Sequence, residues 1–260
     1  SYLRKGRRMR RNIKRADVPI HSGVSDLAAI GEGTLSAVAF SRDGARTELA
    51  VDTLLLHIGV VPNTQITRQV FCEHEWYAPQ RYWRPVRDDW GATSQAQIAV
   101  AGDGGGIDGA AAAALHGRLA ALDAACRQGK IELAERNRRA DPIRYELAGH
   151  QAIRPLLDTL FRPPQDLCAP PDDATLVCRC EEISAGDIRE AVALGAMGPN
   201  QLKAFTRCGM GPCQGRMCGL TVAELVAQAK GESVEDVGYY RIRPPIKPVT
   251  MGELAAMADD

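Results

Sequence analysis

The chain has 260 residues, with 32 Lys and Arg balanced by 32 Asp and Glu. This length can bury the core of one or two domains, and 45% hydrophobic with 25% charged residues is ordinary for a globular protein. A formal net charge of zero argues against a protein built mainly to bind nucleic acid or a membrane surface. We find no apolar run near the roughly 20 residues that span a bilayer and no signal segment. We therefore expect no transmembrane segment and a cytoplasmic location.

A basic segment comes first in the order of predicted elements. Tyr2–Arg15 carries eight Lys and Arg residues, with a few apolar side chains between them. A nucleic-acid-binding arm is one interpretation, but no aromatic platform for bases accompanies the charges. We therefore predict the solvated face of a helix.

The next elements read as strands. Thr34–Ser41 alternates between apolar and polar residues, Asp43-Gly44 is typical of a hairpin turn, and Thr47–Val51 returns along it. Asp52–Val61 is almost continuously apolar, which predicts a buried strand with His57 as a core histidine rather than a catalyst. This half of the chain is therefore predicted to be α/β.

A glycine-rich turn separates a further strand from a helix. Gln97–Ala101 is a short apolar run, and an alanine-rich helix is predicted from about Gly109 to Cys126. The turn formally contains G-x-G-x-x-G, but no second strand ending in an acidic residue follows the helix, so we reject a complete dinucleotide-binding unit. The pair Gly102-Asp103 favours another interpretation, in which the carboxylate accepts hydrogen bonds from polyol hydroxyls and the helix N-terminus faces a phosphate. A tight turn with a capping aspartate remains the alternative.

The carboxyl-terminal part is predicted to be helical. Two Pro-Pro pairs stiffen residues 127–172, which we interpret as a helical linker with a domain boundary near residue 172. Aromatic residues are dense between Phe71 and Trp90, and we expect them to pack within a β-hairpin. The remaining predicted elements are a capped helix from Ser184 to Leu194, a helix from Pro199 to Thr206, a helix from Gly215 or Leu220 to Lys230, and an extended strap at Arg241–Pro248.

Cysteines are the most informative residues of the sequence. Five of the eight lie between positions 178 and 218, as a C-x-C pair and a C-x4-C pair with Cys208 five residues upstream of the second pair. A four-thiolate site holds zinc or an iron–sulfur cluster. The spacing favours a 2Fe-2S cluster, whose two irons each need two thiolates, while zinc and buried or redox-active thiols remain open. The two pairs are Cys178 with Cys180 and Cys213 with Cys218.

The segment Cys178–Gly219 resembles the 2Fe-2S domain of bacterioferritin-associated ferredoxin-like proteins. The resemblance is carried by C-R-C and by G-M-G-P-C-Q-G-R-M-C, and it favours the version fused to amino-acid- and opine-oxidising flavoproteins. It implies that Cys178, Cys180, Cys213 and Cys218 are the cluster ligands. Cys208 stands where the family commonly has a small residue, so we interpret it as a spare thiol near the cluster.

Two other stretches, Leu54–Asn63 and Ile98–Leu122, resemble the two-dinucleotide-domain flavoproteins related to glutathione reductase. That resemblance implies a role for Gly102 and Asp103 in holding the ribityl chain and phosphate of FAD. The family's opening FAD fingerprint is absent, so the chain resembles the carboxyl-terminal portion of a longer protein. The end of the chain is similar to the end of the A-type subunits of opine oxidases.

Together these resemblances imply a partial flavoprotein fold followed by a small all-α 2Fe-2S domain. The expected organisation is residues 1–126 for the flavoprotein part, 127–172 for the linker, 173–238 for the 2Fe-2S domain and 239–260 for the tail. The implied function is electron transfer between flavin and cluster in a hetero-oligomeric amine or amino-acid dehydrogenase. The expected partner is an FAD-dependent oxidase-like subunit, with an amino acid or opine as the substrate. The alternative is a non-catalytic 2Fe-2S or zinc module for docking or regulation.

Overall fold

The computed structural model describes residues 2–257 and has a mixed α/β architecture. It divides into two compact units, one ending at Ile58 and the other beginning at Gly59. Among the described residues, no helix is both long and apolar enough to cross a membrane. The first unit holds one helix and a three-stranded antiparallel sheet: α1 (Tyr2–Arg15), β1 (Ser25–Ile30), β2 (Ala37–Arg42) and β3 (Ala45–Ala50).

The predicted hairpin of the first unit is confirmed. β2 and β3 pair from Ala37 opposite Ala50 to Arg42 opposite Ala45. Asp43 and Gly44 both have positive φ, as the two-residue turn of a twisted hairpin requires. β1, which the sequence pattern did not predict, covers the other edge of β2. Helix α1 has no buried residue, as expected for a solvated basic helix.

Two predicted strands are wrong. Asp52–Val61 forms no regular element in the described chain, Leu55 is 90% exposed, and His57 is exposed rather than in a core. Gln97–Ala101 makes only a single bridge, between Ala92 and Ala99. An apolar run favours burial, but a strand also needs a neighbouring strand to bond its backbone, and the described residues supply none here.

In the second unit, the aromatic-rich hairpin that the sequence predicted follows a short helix. Trp76 and Trp83 face each other across it, with ring centroids 5.6 Å apart. The alanine-rich helix follows, and its apolar face packs on the next helix through Leu119 and Ile143. The elements are α2 (Gln65–Gln69), β4 (His74–Tyr77), β5 (Tyr82–Pro85), a 3-10 turn at Gly102–Gly105, α3 (Ala110–Arg127), α4 (Leu133–Gln151), α5 (Arg154–Leu160) and α6 (Gln165–Cys168).

The carboxyl-terminal part of the second unit surrounds its own core. Ile188, Leu202 and Leu225, from three different helices, are fully buried there. A short two-stranded hairpin accompanies the predicted helices, and the extended strap lies across this part, with Ile242 buried. The elements are β6 (Leu176–Cys178), β7 (Ile183–Ser184), α7 (Ala185–Ala193), α8 (Pro199–Thr206), α9 (Gly219–Lys230), α10 (Val234–Val237) and α11 (Met251–Ala255).

Replacing the cap of α7 tests how firmly this helix is anchored. The Ser184 side chain accepts a hydrogen bond from the Asp187 N–H, and the Asp187 carboxylate accepts one from the Ser184 N–H. We expect Ser184→Ala to lower the free energy of unfolding by about 1 kcal/mol, because it leaves a helix-end donor unpaired beside a buried face. Thr250→Ala removes the same kind of cap from α11, which buries no residue, and should change little. Urea unfolding curves of the two variants check the difference, and equal losses would contradict it.

Candidate metal centre

Two loops bring five cysteines together. Cys178 ends β6, and Cys180 lies in the turn between β6 and β7. Cys208, Cys213 and Cys218 lie in the long turn between α8 and α9. This arrangement places the four sequence-predicted ligands side by side and adds Cys208 to them.

The five thiols fall into a buried group and a more exposed pair. The Sγ atoms of Cys178, Cys208 and Cys218 lie within 4.8 Å of one another, and all three residues are buried. Cys180 is exposed and Cys213 is half-buried, and their side chains interact with each other. Cys213 also interacts with Cys218, so the two groups are continuous.

Backbone N–H groups surround the Cys213 sulfur. Burial opposes ionisation of this thiol, but hydrogen bonds from the Met217 N–H, the Cys180 thiol and the N–H groups of Gly215 and Arg216 outweigh it and lower the pKa of Cys213. The Cys213 N–H in turn donates to the sulfur of Cys180. Such donors stabilise thiolate charge, which a metal-bound cysteine carries.

In the buried group, one hydrogen bond shifts the pKa values of two thiols in opposite directions. A hydrogen bond from the Cys218 thiol lowers the pKa of Cys208 to about 7, although burial opposes this. The same hydrogen bond and burial raise the pKa of Cys218. The buried group therefore favours one thiolate that accepts a hydrogen bond from its neighbour.

Glycines allow the second loop to approach its neighbours closely. A Cβ on Gly211 would lie 2.2 Å from the Cβ of Cys180. A Cβ on Gly209 would lie 2.6 Å from the ring of Tyr240, and one on Gly219 would lie 2.3 Å from the hydroxyl of Tyr239. Any other residue at these positions would push the cysteine loop off its supports.

The arrangement fits a 2Fe-2S cluster. Two pairs, one buried and one near the surface, match the need of two irons for two thiolates each. The pairs are Cys178 with Cys218 and Cys180 with Cys213, and each takes one member from each loop. The buried triad with one further thiol also has the ligand number of a tetrahedral zinc site. Metal content separates the two possibilities.

Gly102 and Asp103 lie apart from the cysteines, in the 3-10 turn before α3. Gly102 is buried with φ +70°, and a Cβ there would lie 3.1 Å from the Cβ of Ala113. Asp103 is exposed, and its carboxylate accepts a 3.4 Å hydrogen bond from the Gly109 N–H. No side chain caps the N-terminus of α3, so its free N–H groups and the exposed carboxylate fit the phosphate and polyol of a flavin nucleotide.

A cavity of about 350 Å³ adjoins this turn. Arg84, Arg87 and Arg144 line it with Gly105 and His116. His116 pairs with Asp108 at 3.1 Å. Glu75, Asp88 and Asp89 also line the cavity, so its acidic and basic side chains balance. No local pattern in the sequence indicates the cavity, because its lining residues come from separate elements.

Two features of the cysteine site were not apparent from the sequence, namely the contacts of Cys208 and the support from Tyr240. The sequence placed Cys208 near the cluster without contacts, although the equal C-x4-C-x4-C spacing of Cys208, Cys213 and Cys218 is a visible signal. Tyr240, which is 1% exposed and donates a 3.1 Å hydrogen bond to the Cys208 carbonyl, carries no local signal.

Comparison with known proteins shows what the chain is similar to, both around the cysteine loops and over nearly its whole length. Residues 173–258 match the family model of the sarcosine oxidase A3 domain. The chain is 43% identical to the A subunit of opine oxidase from Rhizobium meliloti, over 98% of this chain and 48% of that protein. It is 31% identical to the HcnB subunit of hydrogen cyanide synthase from Pseudomonas protegens, over 91% of this chain and 52% of that protein.

A solved structure shares the fold. L-proline dehydrogenase from P. horikoshii superposes with a TM-score of 0.71 at 22% identity, covering 96% of this chain and 48% of that one. The chain spans about half the length of the curated relatives it matches. Over nearly its whole length it is similar to the A subunits of opine oxidases, and its carboxyl-terminal third matches the sarcosine oxidase A3 domain.

Proposed function

We propose that this chain is part of the electron-transferring subunit of a flavin-dependent dehydrogenase, and that its cysteine site holds a 2Fe-2S cluster. The enzyme would act on a C–N bond of an amino acid or opine. The observation that carries the proposal is the pairing of four cysteines from two loops into a buried and an exposed pair. Similarity to proteins named as subunits of opine oxidase and hydrogen cyanide synthase supports membership of a hetero-oligomeric oxidoreductase.

The residues of this chain would position the cluster rather than break bonds. Cys178 and Cys218 would hold the inner iron, and Cys180 and Cys213 the outer iron. N–H donors around Cys213 would compensate the negative charge at the outer edge, which faces solvent and any external electron acceptor. A bound cluster passes electrons singly, whereas a flavin accepts two together as hydride.

The flavin part of the proposal rests on Gly102 and Asp103. These residues would hold the ribityl chain and phosphate of FAD in the longer protein or complex. A partner flavoprotein would oxidise the amine or amino acid, and the complex would work in the reducing cytoplasm, which keeps cysteines available for metal.

Replacing Cys213 tests the ligand assignment. We expect Cys213→Ala to lose most of its iron and its visible charge-transfer absorption, because one iron is left with a single thiolate from its pair. Cys126→Ala removes a half-buried cysteine outside the cluster and should retain both. Iron content and absorption spectra of anaerobically purified proteins check this. A Cys213→Ala protein with unchanged iron and spectrum would contradict it.

The dehydrogenase assignment needs a separate test. The full chain purified together with its flavoprotein partner should reduce a dye when given an opine or amino acid as the electron donor. An iron-containing complex that reduces no dye with any such donor would contradict the enzymatic part and favour the docking or regulatory module.

A further inference from the structure

The candidate site contains one thiol more than a 2Fe-2S cluster uses. Such a cluster needs four thiolates, and five cysteines lie together here. The additional one is Cys208, which has no exposed surface. Its Sγ lies within 4.8 Å of both Cys178 and Cys218.

Cys208 is held in place independently of any metal. The preceding residue, Arg207, ends α8 in the left-handed conformation. The Cys208 N–H donates to Thr206 Oγ1 at 3.1 Å, and its carbonyl accepts from the Tyr240 hydroxyl at 3.1 Å. Because the backbone is pinned on both sides, the thiol is presented to its neighbours with little further loss of conformational freedom when it binds.

The additional thiol lies beside the inner pair, Cys178 and Cys218, and not beside the outer pair. The thiols that interact with Cys208 are those of Cys218 and Cys178. In the part of the chain that the structure describes, the triad they form is the only group of three potential metal ligands this close together. Among the described residues, no third potential ligand lies this close to both members of the outer pair, Cys180 and Cys213.

We propose that Cys208 is a reserve ligand of the inner iron, able to replace Cys218 or Cys178. This inference rests on the proposed 2Fe-2S cluster. When Cys218 is removed, the Cys208 thiol gives its proton to solvent and its thiolate forms the iron–sulfur bond that the lost cysteine made. One iron–sulfur bond replaces another and no electron is transferred, so the step needs no oxidant or reductant.

Alanine variants of the full chain test this asymmetry, because a serine oxygen can itself bind iron. We expect Cys218→Ala to retain most of its iron, with shifted visible absorption bands and shifted electron paramagnetic resonance signals after reduction. Cys208→Ala should retain its iron, because all four ligands of the cluster remain. The double variant Cys208→Ala/Cys218→Ala should lose iron as fully as Cys213→Ala does.

The outcomes separate this inference from the proposed function. If the wild-type protein contains about two irons but Cys218→Ala loses as much iron as Cys213→Ala, the reserve role is overturned and the cluster is not. Wild-type protein without iron would overturn the cluster itself. Circular dichroism verifies that each variant folds. If Cys218→Ala does not fold, Cys178→Ala replaces it as the inner-pair variant, and we expect it to retain its iron in the same way.

Discussion

Gly211→Ala is expected to abolish most cluster binding without touching a cysteine. The added Cβ would lie 2.2 Å from the Cβ of Cys180 and 3.3 Å from its Sγ. Atoms do not approach this closely, so Cys180 must move away from Cys213 and the outer pair opens. The iron content should fall to a small fraction of the wild-type value, which metal analysis of the purified protein measures.

A matched glycine variant controls for loss of stability. Gly195→Ala introduces the same methyl group where no atom lies within 4 Å, and its positive φ makes it the more strained substitution for the backbone. We expect Gly195→Ala to be less stable in urea yet to keep its iron. If Gly211→Ala holds as much iron as the Gly195→Ala protein, the close approach of the two cysteine loops is not needed for binding.

Arg81→Met is expected to lower the free energy of unfolding by about 3–5 kcal/mol. Arg81 is the last residue of the turn between β4 and β5. Its Nε donates to Glu224 Oε1 of α9 at 2.9 Å, with a second bond from Nη2 to Oε2. The Glu224 side chain is 4% exposed. Removing the guanidinium leaves a buried carboxylate without its partner, which costs far more than the pair itself contributes. Chemical unfolding of the holoprotein measures the loss.

Two further variants show whether burial is the cause. Arg81→Met/Glu224→Leu removes both charges and should recover most of the stability, since no charge is then left unpaired. Arg139→Met breaks the exposed pair with Glu135 and should cost at most about 0.5 kcal/mol. A double variant no more stable than Arg81→Met, or equal losses at the two pairs, would contradict the argument.

Local patterns in the sequence predicted the elements that local chemistry determines. The structure confirms three elements that depend on residues only a few positions apart. They are the Asp43-Gly44 turn, the capping box at Ser184 and the alanine-rich helix that includes Cys126. The cysteine motifs also contain residues that determine the shape of their loop. Glycines between Cys208 and Cys218 permit the loop to fold back on Cys180. The four candidate ligands came from the resemblance of these motifs to a known family.

What the sequence did not predict depends on partners distant along the chain. The apolar run at Asp52–Val61 indicates burial, but no pattern within it states which strand would pair with it. Arg81 and Glu224 are 143 residues apart, and Tyr240 supports Cys208 from 32 residues away. The assignment of Gly102 and Asp103 to FAD stays a prediction, since their geometry suits a flavin nucleotide without testing it.

The most direct test of the account is the metal content of the anaerobically purified chain, with iron, acid-labile sulfide and zinc measured on the sample used for the visible spectrum. We expect about two irons and two sulfides per chain, with broad charge-transfer bands that bleach on reduction. A colourless protein with one zinc per chain would contradict the electron-transfer role and show that the cysteines of residues 178–218 form a structural site.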